Sequence, residues 1–356
     1  MLRKFCALLS PTDIALTSSD GVTWAQYTLP IDDAWLPPVW NGSIFCAIAT
    51  NGSDNVVTSP DGVTWTQRTL PVVGDWQVMI WNGSIFCAVG EGATSVAVTS
   101  PDGVTWAQRT LPVAGDWYTL TWNGSLFCAL GFNSTKAVTS PDGVTWTQRT
   151  LPVAGHWNVL AWGAGVFCAL TSNSNTAVTS PNGITWTQRT LPTSLSTAAL
   201  VWNGAVFCAI DSYYITPEAV VSTDGITWSA NPLLSGYSLR ALVWNGSVFC
   251  AVGTNSNGNY GDVAATSPDG VTWTQHTLPV ARGWRNLVWN GDLFCTVGEL
   301  IGGDNTLIAA TSPDGVTWSA HTVLDPVVAP AGSKWPRLAW GGVALFWTRF
   351  RKCIEV

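Results

Sequence analysis

The segment Thr58-Ser59-Pro60-Asp61-Gly62-Val63-Thr64-Trp65 returns in near copy eight times along the chain. Its core, Asp-Gly-Val/Ile-Thr-Trp, ends at Trp24, Trp65, Trp106, Trp146, Trp186, Trp228, Trp273 and Trp318, with Asn182 in place of the Asp once. The intervals are 41, 41, 40, 40, 42, 45 and 45 residues. A fixed period of that size means stacked supersecondary units, each unable to bury its apolar face alone. The repeat therefore overrides length as a guide to domain count, and residues 1–356 are expected to form one body.

Residues 76–112 show what one unit contains. Trp76 to Trp81 is an apolar strand, A, followed by Asn82-Gly83, a pair suited to a two-residue hairpin. Ser84 to Gly90 is strand B, with no polar alternation and hence buried on both faces. Glu91 to Thr94 loops to strand C, Ser95 to Ser100, and Pro101-Asp102-Gly103 reads as a second tight hairpin. Strand D, Val104 to Leu111, carries most of the polar residues, as a solvent-facing strand should, and Pro112 is expected to end it because proline cannot donate into a ladder. Four antiparallel strands per repeat make a propeller blade. The expectation is an all-β, eight-bladed β-propeller of four-stranded blades.

The chain opens in a B strand and finishes with an eighth A strand, 335–340. Pairing of these N- and C-terminal strands would close the ring and remove exposed sheet edges. Both 3–9 and 344–350 can claim strand B of that closing blade. Residues 349–356 depart from the repeat and are expected to form an extra strand or a tail that docks on a partner.

Hydrophobic content is 47% and charge 10%, which suits strands buried on both faces. Net charge is −7, and no basic run precedes Arg349-Phe350-Arg351-Lys352, so phosphate neutralisation on nucleic acid is not expected. No apolar run approaches about 18 residues, so no membrane insertion is expected either. The apolar stretch Phe5 to Leu9 is too short for a secretion signal and fits the repeat in register. Eight of the nine cysteines follow the same Phe, once per repeat: Cys6, Cys46, Cys87, Cys128, Cys168, Cys208, Cys250 and Cys295. Neighbouring copies in an eight-fold ring lie too far apart to bridge, so they read as buried free thiols of a reducing compartment.

The internal copies substitute for an alignment. The A–B and C–D turns barely vary, whereas the B–C loops differ in length and chemistry: 49–54, 131–135, 211–218 and 253–262. By strand order these loops share a face with the D–A connections, and loops are where function is placed on a rigid scaffold. The third Trp of each repeat also starts there: Trp35, Trp76, Trp117, Trp157, Trp284 and Trp335, with Thr197 and Leu239 in the remaining two copies. Two readings stay open. Either the indoles form a ring for stacking on sugar faces, joined by Tyr213, Tyr214 and Tyr260, or they pack between blades.

Ser-Pro-Asp-Gly-Val-Thr-Trp resembles the Asp-box, or BNR, repeat of sialidase-like β-propellers, whose pattern is Ser-x-Asp-x-Gly-x-Thr-Trp. All eight copies lack the residue between Asp and Gly, which implies a simpler hairpin. The resemblance implies a structural turn away from any active site. It also directs attention to an arginine triad with Tyr/Glu and acidic partners. Arg68, Arg109, Arg149 and Arg189 are copies of one outer-strand position and should not converge. A non-repeat pair of carboxylates for glycoside hydrolysis is conceivable around Asp211, Glu218 and Asp262. No metal-ligand spacing or cofactor motif appears.

The Trp-rich, near-identical blades also resemble propellers encoded among structural genes of tailed bacteriophages. This implies a non-enzymatic virion component, assembled in bacterial cytoplasm, that recognises a host-surface glycan or receptor. The alternatives are a purely architectural protein docked to other virion proteins and a sialidase-like glycoside hydrolase.

Overall fold

The structure is a computed structural model that describes residues 4–213, 215–255, 260–299, 306–324 and 335–340. It is all-β. The strands, in chain order, are β1 (Phe5–Ser10), β2 (Thr12–Ser18), β3 (Ala25–Asp33), β4 (Val39–Trp40), β5 (Phe45–Ile48), β6 (Ser53–Ser59), β7 (Thr66–Trp81), β8 (Phe86–Glu91), β9 (Thr94–Ser100) and β10 (Ala107–Gly115). They continue with β11 (Trp117–Trp122), β12 (Phe127–Gly131), β13 (Ser134–Ser140), β14 (Thr147–Gly155), β15 (Trp157–Gly163), β16 (Val166–Thr171), β17 (Ser174–Ser180), β18 (Thr187–Leu195), β19 (Thr197–Trp202), β20 (Phe207–Asp211) and β21 (Glu218–Ser222). The remainder are β22 (Ser229–Pro232), β23 (Tyr237–Trp244), β24 (Phe249–Asn255), β25 (Gly261–Ser267), β26 (Thr274–Arg282), β27 (Val288–Trp289), β28 (Phe294–Val297), β29 (Leu307–Ser312), β30 (Ser319–Leu324) and β31 (Trp335–Trp340).

These strands form seven antiparallel sheets. Six have four strands, and the seventh has seven because β7 serves two arrays: its first part pairs with β6 as far as Gly74, and Asp75 to Trp81 pair with β8. In the first sheet β1 lies between β2 and β31, with Phe5 opposite Trp340 and Ser10 opposite Trp335. The B position beside strand 335–340 is thus taken by β1; residues 344–350 and 349–356 lie outside the described residues.

Alternate residues of each B strand face opposite neighbours, which explains the unbroken apolar run. On β8, Phe86 and Ala88 pack with Ile48, Val56 and Trp76, while Cys87 and Val89 pack with Trp117, Leu120 and Phe127 of the next sheet. All eight described cysteines are buried and free, and burial pushes their thiols upward in pKa.

Three local expectations need correction. In the A–B turn the two central residues are Gly83-Ser84: Asn82 N donates to Ile85 O at 3.2 Å, and only Gly83 takes positive φ, at 100°. Asn82 sits beside the turn, where its Oδ1 accepts from Ser84 N and Ile85 N. The C–D connection is not a tight hairpin, because the last pair is Thr99 with Ala107 and everything between is loop. Asp102 organises that loop by accepting from Val104 N and Thr105 N at 2.8 and 2.7 Å, while Ser100 Oγ accepts from Gly103 N and Trp106 Nε1 donates to Gly103 O. Gly103 has φ 74°, a left-handed conformation that favours glycine, and an added Cβ would lie 2.9 Å from Ile44 Cδ1, which would have to shift. Finally, Pro112 does not end strand D. The ladder lapses after Thr110 and resumes at Gly115, so the proline occupies an unpaired bulge where its missing N–H costs nothing.

The seven turn aspartates form one acid-sensitive stability element. For Asp142, Asp224, Asp269 and Asp314 the backbone N–H three residues on is the largest influence and holds the carboxyl below its ordinary range. For Asp20, Asp61 and Asp102 partial burial is the largest influence and acts upward, but the backbone N–H groups and the Ser hydroxyl together outweigh it. The folded pKa lies below the unfolded one, so this stabilisation is complete above about pH 4 and lost as pH falls through the lowered values. Melting temperature should therefore drop below about pH 4. Asp102→Asn, which keeps an acceptor as Asn182 does for Ile184 N and Thr185 N, should make the drop shallower. Identical acid profiles for wild type and Asp102→Asn would refute this.

Candidate functional site at the bulged inner strands

The third Trp of each repeat is a packing element. Trp35, Trp76, Trp117, Trp157 and Trp284 are at most 1% exposed. In the first four the indole Nε1 donates to a main-chain carbonyl at the start of strand C, 23 residues earlier: Thr12, Ser53, Thr94 and Ser134. Gly74, Gly115 and Gly155 make room, because a Cβ at each would lie within about 3 Å of the ring. Where Arg282 replaces that glycine, Trp284 donates to Val280 O instead. An indole with no exposed face cannot stack on a sugar, so the stacking reading is corrected for these five and the packing reading describes them. The side chain of Trp335 and all of Tyr214 lie outside the described residues. Tyr213 is 47% exposed, and Tyr260 is half-buried.

The residue after each such Trp is the informative one. Trp76 pairs with Gly90 and Val78 with Val89, which leaves Gln77 as the extra residue of a β-bulge. The same register shift isolates Tyr118, Asn158, Ala198 and Arg240. A bulge frees one side chain from the ladder and re-aims it, so it is a device for placing variable chemistry on an invariant sheet.

Two clusters grow from these positions. In the first, Tyr118 stacks on Phe132 with ring centroids 4.4 Å apart and planes at 22°, and Phe132 meets the His156 ring at 4.8 Å. The Tyr118 hydroxyl donates to Glu91 Oε2 at 2.6 Å. His156 is exposed and borders a cavity of about 300 Å³ lined by the short polar side chains of Asn133, Thr171, Ser172, Asn173, Ser174 and Thr176. Asn133 and Asn173 have φ of 49° and 59°, a left-handed conformation that asparagine tolerates, and so shape the two B–C turns at the rim.

In the second, Arg285, which follows Trp284, is ion-paired with Glu299, and the charges of Arg240 of β23 and Arg337 of β31 also bear on that carboxyl. Arg285 Nε lies 2.8 Å from Glu299 Oε1, and Glu299 is 7% exposed. Burial pushes the Glu299 carboxyl up to about 7, opposed by Arg285 and by the charges of Arg240 and Arg337. By linkage its contribution runs opposite to the turn aspartates: stability falls as pH rises from the unfolded value toward about 7.

Three arginines that are not copies of the outer-strand position thus act on one buried carboxyl. Arg68, Arg109, Arg149 and Arg189 do stay apart, each donating from Nε to a Thr hydroxyl of its own strand C at 2.9–3.3 Å. His276 and His321 keep that contact through Nε2 to Thr266 and Thr311. Asp211 is committed to the backbone, accepting from Ser196 N and Tyr213 N, and burial raises it to about 6 against those bonds. Among the described residues no group of three His, Cys, Asp or Glu could hold a metal ion. No helix among them is long and apolar enough to cross a membrane.

A family profile for the DUF6242 beta propeller domain matches residues 69–206, less than half of the chain. No curated protein sequence matches. Solved structures do: apo AztD from Citrobacter koseri (TM-score 0.60, 12% identity, 96% of this chain and 98% of that one) and virginiamycin B lyase from Staphylococcus aureus (0.57, 11%, 73% and 91%). Dihydro-heme d1 dehydrogenase NirN in complex with DHE is also similar (0.68, 10%, 90% and 73%). Two of the three are named as enzymes, and at such identities the likeness is one of fold alone. The fold is a β-propeller.

Proposed function

We propose that the chain is a non-enzymatic, glycan-binding β-propeller that serves as a surface component of a phage virion. In this reading residues 1–356 form one body of eight four-stranded blades, the Asp-Gly turns are shortened Asp-boxes, and β1 with β31 closes the ring. The pairing of β1 with β31 supports closure, as do the apolar layers that join the first sheet to β28–β29 on one side and to β5–β6 on the other.

The observation that carries the binding reading is the Tyr118–Phe132–His156 stack beside a polar cavity, on the face where the repeats diverge. Aromatic faces suit the apolar faces of sugar rings, and short hydroxyl and amide side chains suit their hydroxyls. The non-catalytic reading is supported by the use of the buried acids, since Asp211 caps a loop and Glu299 is ion-paired. A glycan array should show binding that Phe132→Ala and His156→Ala weaken by about tenfold or more, a loss of roughly 1.4 kcal/mol. Binding unchanged in both variants, or turnover of fluorogenic glycosides by the wild type, would overturn the reading. The architectural alternative has its own support: Val22, Val104, Val144, Ile184, Ile226, Val271 and Val316 are all exposed at equivalent C–D turns, a ring of apolar side chains fit to meet other particle proteins.

A further inference from the structure

The cavity beside His156 corresponds to a space that a lysine crosses in the preceding repeat. Lys136 of β13 reaches over to the sheet before its own, where its Nζ donates to Ala114 O of β10 at 2.7 Å. Ala114 precedes Gly115 and Asp116 just as Ala154 precedes Gly155 and His156. Thr176 of β17 stands where Lys136 stands in β13. Each is two residues into its strand, each main-chain N–H donates to the serine two residues earlier (3.0 and 3.2 Å), and each lies opposite a Thr of strand D, Thr150 and Thr190. Ala154 and Thr176 both line the cavity. We propose that this cavity takes a primary ammonium group, so that the ligand is a glycan bearing a free amino sugar whose ammonium donates to Ala154 O as Lys136 does to Ala114 O. This rests on the glycan-binding reading of the same site.

Several observations support this. Thr176 is too short to cross the space as Lys136 does, and its hydroxyl is turned to its own strand, accepting from Ser174 Oγ at 3.0 Å. The place of the lysine ammonium is thus left to a ligand. Ala154 lies where the ladder of β14 lapses between Thr150 and Gly155, so it belongs to a bulge outside the paired register. An ammonium has three donors, one for a carbonyl and two for hydroxyl or amide oxygens such as those of Ser172 and Asn173 in the cavity lining. A charged donor makes a stronger bond to a carbonyl than a neutral one does. An N-acetylated sugar offers a single uncharged N–H in that place and brings a methyl group among polar side chains. The net charge of −7 favours a cationic ligand over an anionic one. Phe132 and His156, at the rim, leave the sugar ring an aromatic face beside the amine pocket.

The full-length chain is titrated at neutral pH with glucosamine, N-acetylglucosamine and glucose, by calorimetry and by ligand-observed NMR. Glucosamine is expected to bind about tenfold or more tighter than the other two, the difference that one hydrogen bond from a charged donor makes. Thr176→Lys sets the protein's own ammonium on the carbonyl, as in the preceding repeat, and should weaken glucosamine by about tenfold or more. Arg68→Gln, on an outer strand, should bind as wild type does. If Thr176→Lys fails to fold, the wild-type preference for glucosamine over N-acetylglucosamine decides the matter. Equal or tighter binding of N-acetylglucosamine, lost in Phe132→Ala, would overturn the amine assignment and leave the glycan reading standing. No binding of any of the three sugars would overturn it too, and the glycan array then decides the broader reading by itself. Undiminished glucosamine binding by folded Thr176→Lys would also overturn the assignment. So would tighter binding of Nα-acetyl-lysine amide than of glucosamine, which would give the carbonyl to a peptide ligand.

Discussion

Trp117→Ala is expected to destabilise the protein by about 3–5 kcal/mol, the cost of truncating a large buried aromatic in a site that cannot collapse. Trp117 has no exposed surface, packs against Val89, Leu111 and Leu120, and donates to Thr94 O at 3.1 Å. Alanine leaves a cavity and removes a partner from that carbonyl, and the two losses compound. The two natural exceptions show what the position demands. Thr197 gives up the ring but still donates to a main-chain carbonyl, its Oγ1 to Thr171 O at the end of strand B at 2.9 Å, while Leu239 keeps apolar burial and has no side-chain donor. Trp117→Leu should therefore cost less than Trp117→Ala, and thermal melts of the two variants check the order. A Trp117→Ala protein with wild-type melting temperature and lost glycan binding would restore the indole as a ligand contact.

How much of this was legible in the sequence differs by position. The repeated Asp-Gly-Val-Thr-Trp located the register of every described array, and the unbroken apolar runs identified strands such as β8 that face a neighbour on both sides. The details of turns were less legible. Asn-Gly suggested the wrong central pair because Asn82 flanks the turn, closing it with its N–H and capping it with its side-chain oxygen. Pro112 looked like a strand end because a bulge that tolerates proline has no signature of its own.

The candidate site was half legible. Divergence between copies marks the face where the Tyr118 cluster lies, but the conspicuous residues there, Trp117 and Trp284, are buried, and the bulged residues that follow them carry no signal in the sequence. Only the register shift shows that the residue after the Trp leaves the ladder. The influence of Arg240 and Arg337 on Glu299 was not legible: Arg240 and Arg285 hold the same place in successive repeats, 45 residues apart, and nothing in that spacing shows which acid they bear on.

That meeting makes the largest further prediction. β31 supplies six residue pairs to β1, and Leu338 is buried with Phe5, Leu9, Val297 and Leu307. Deleting residues 335–356 strips the pairing edge from β1, whose own residues are all buried, and opens the apolar layer between the first sheet and β28–β29. An exposed, flat, apolar strand edge is a template for pairing with another chain. The truncated protein is therefore expected to self-associate and to lose its cooperative melt, read by light scattering and by circular dichroism. Leu338→Ala separates packing from pairing. It keeps the β31 backbone and should cost about 2–5 kcal/mol while leaving a monomer. If truncation left both the melting temperature and the monomeric state unchanged, the two ends would not close this fold.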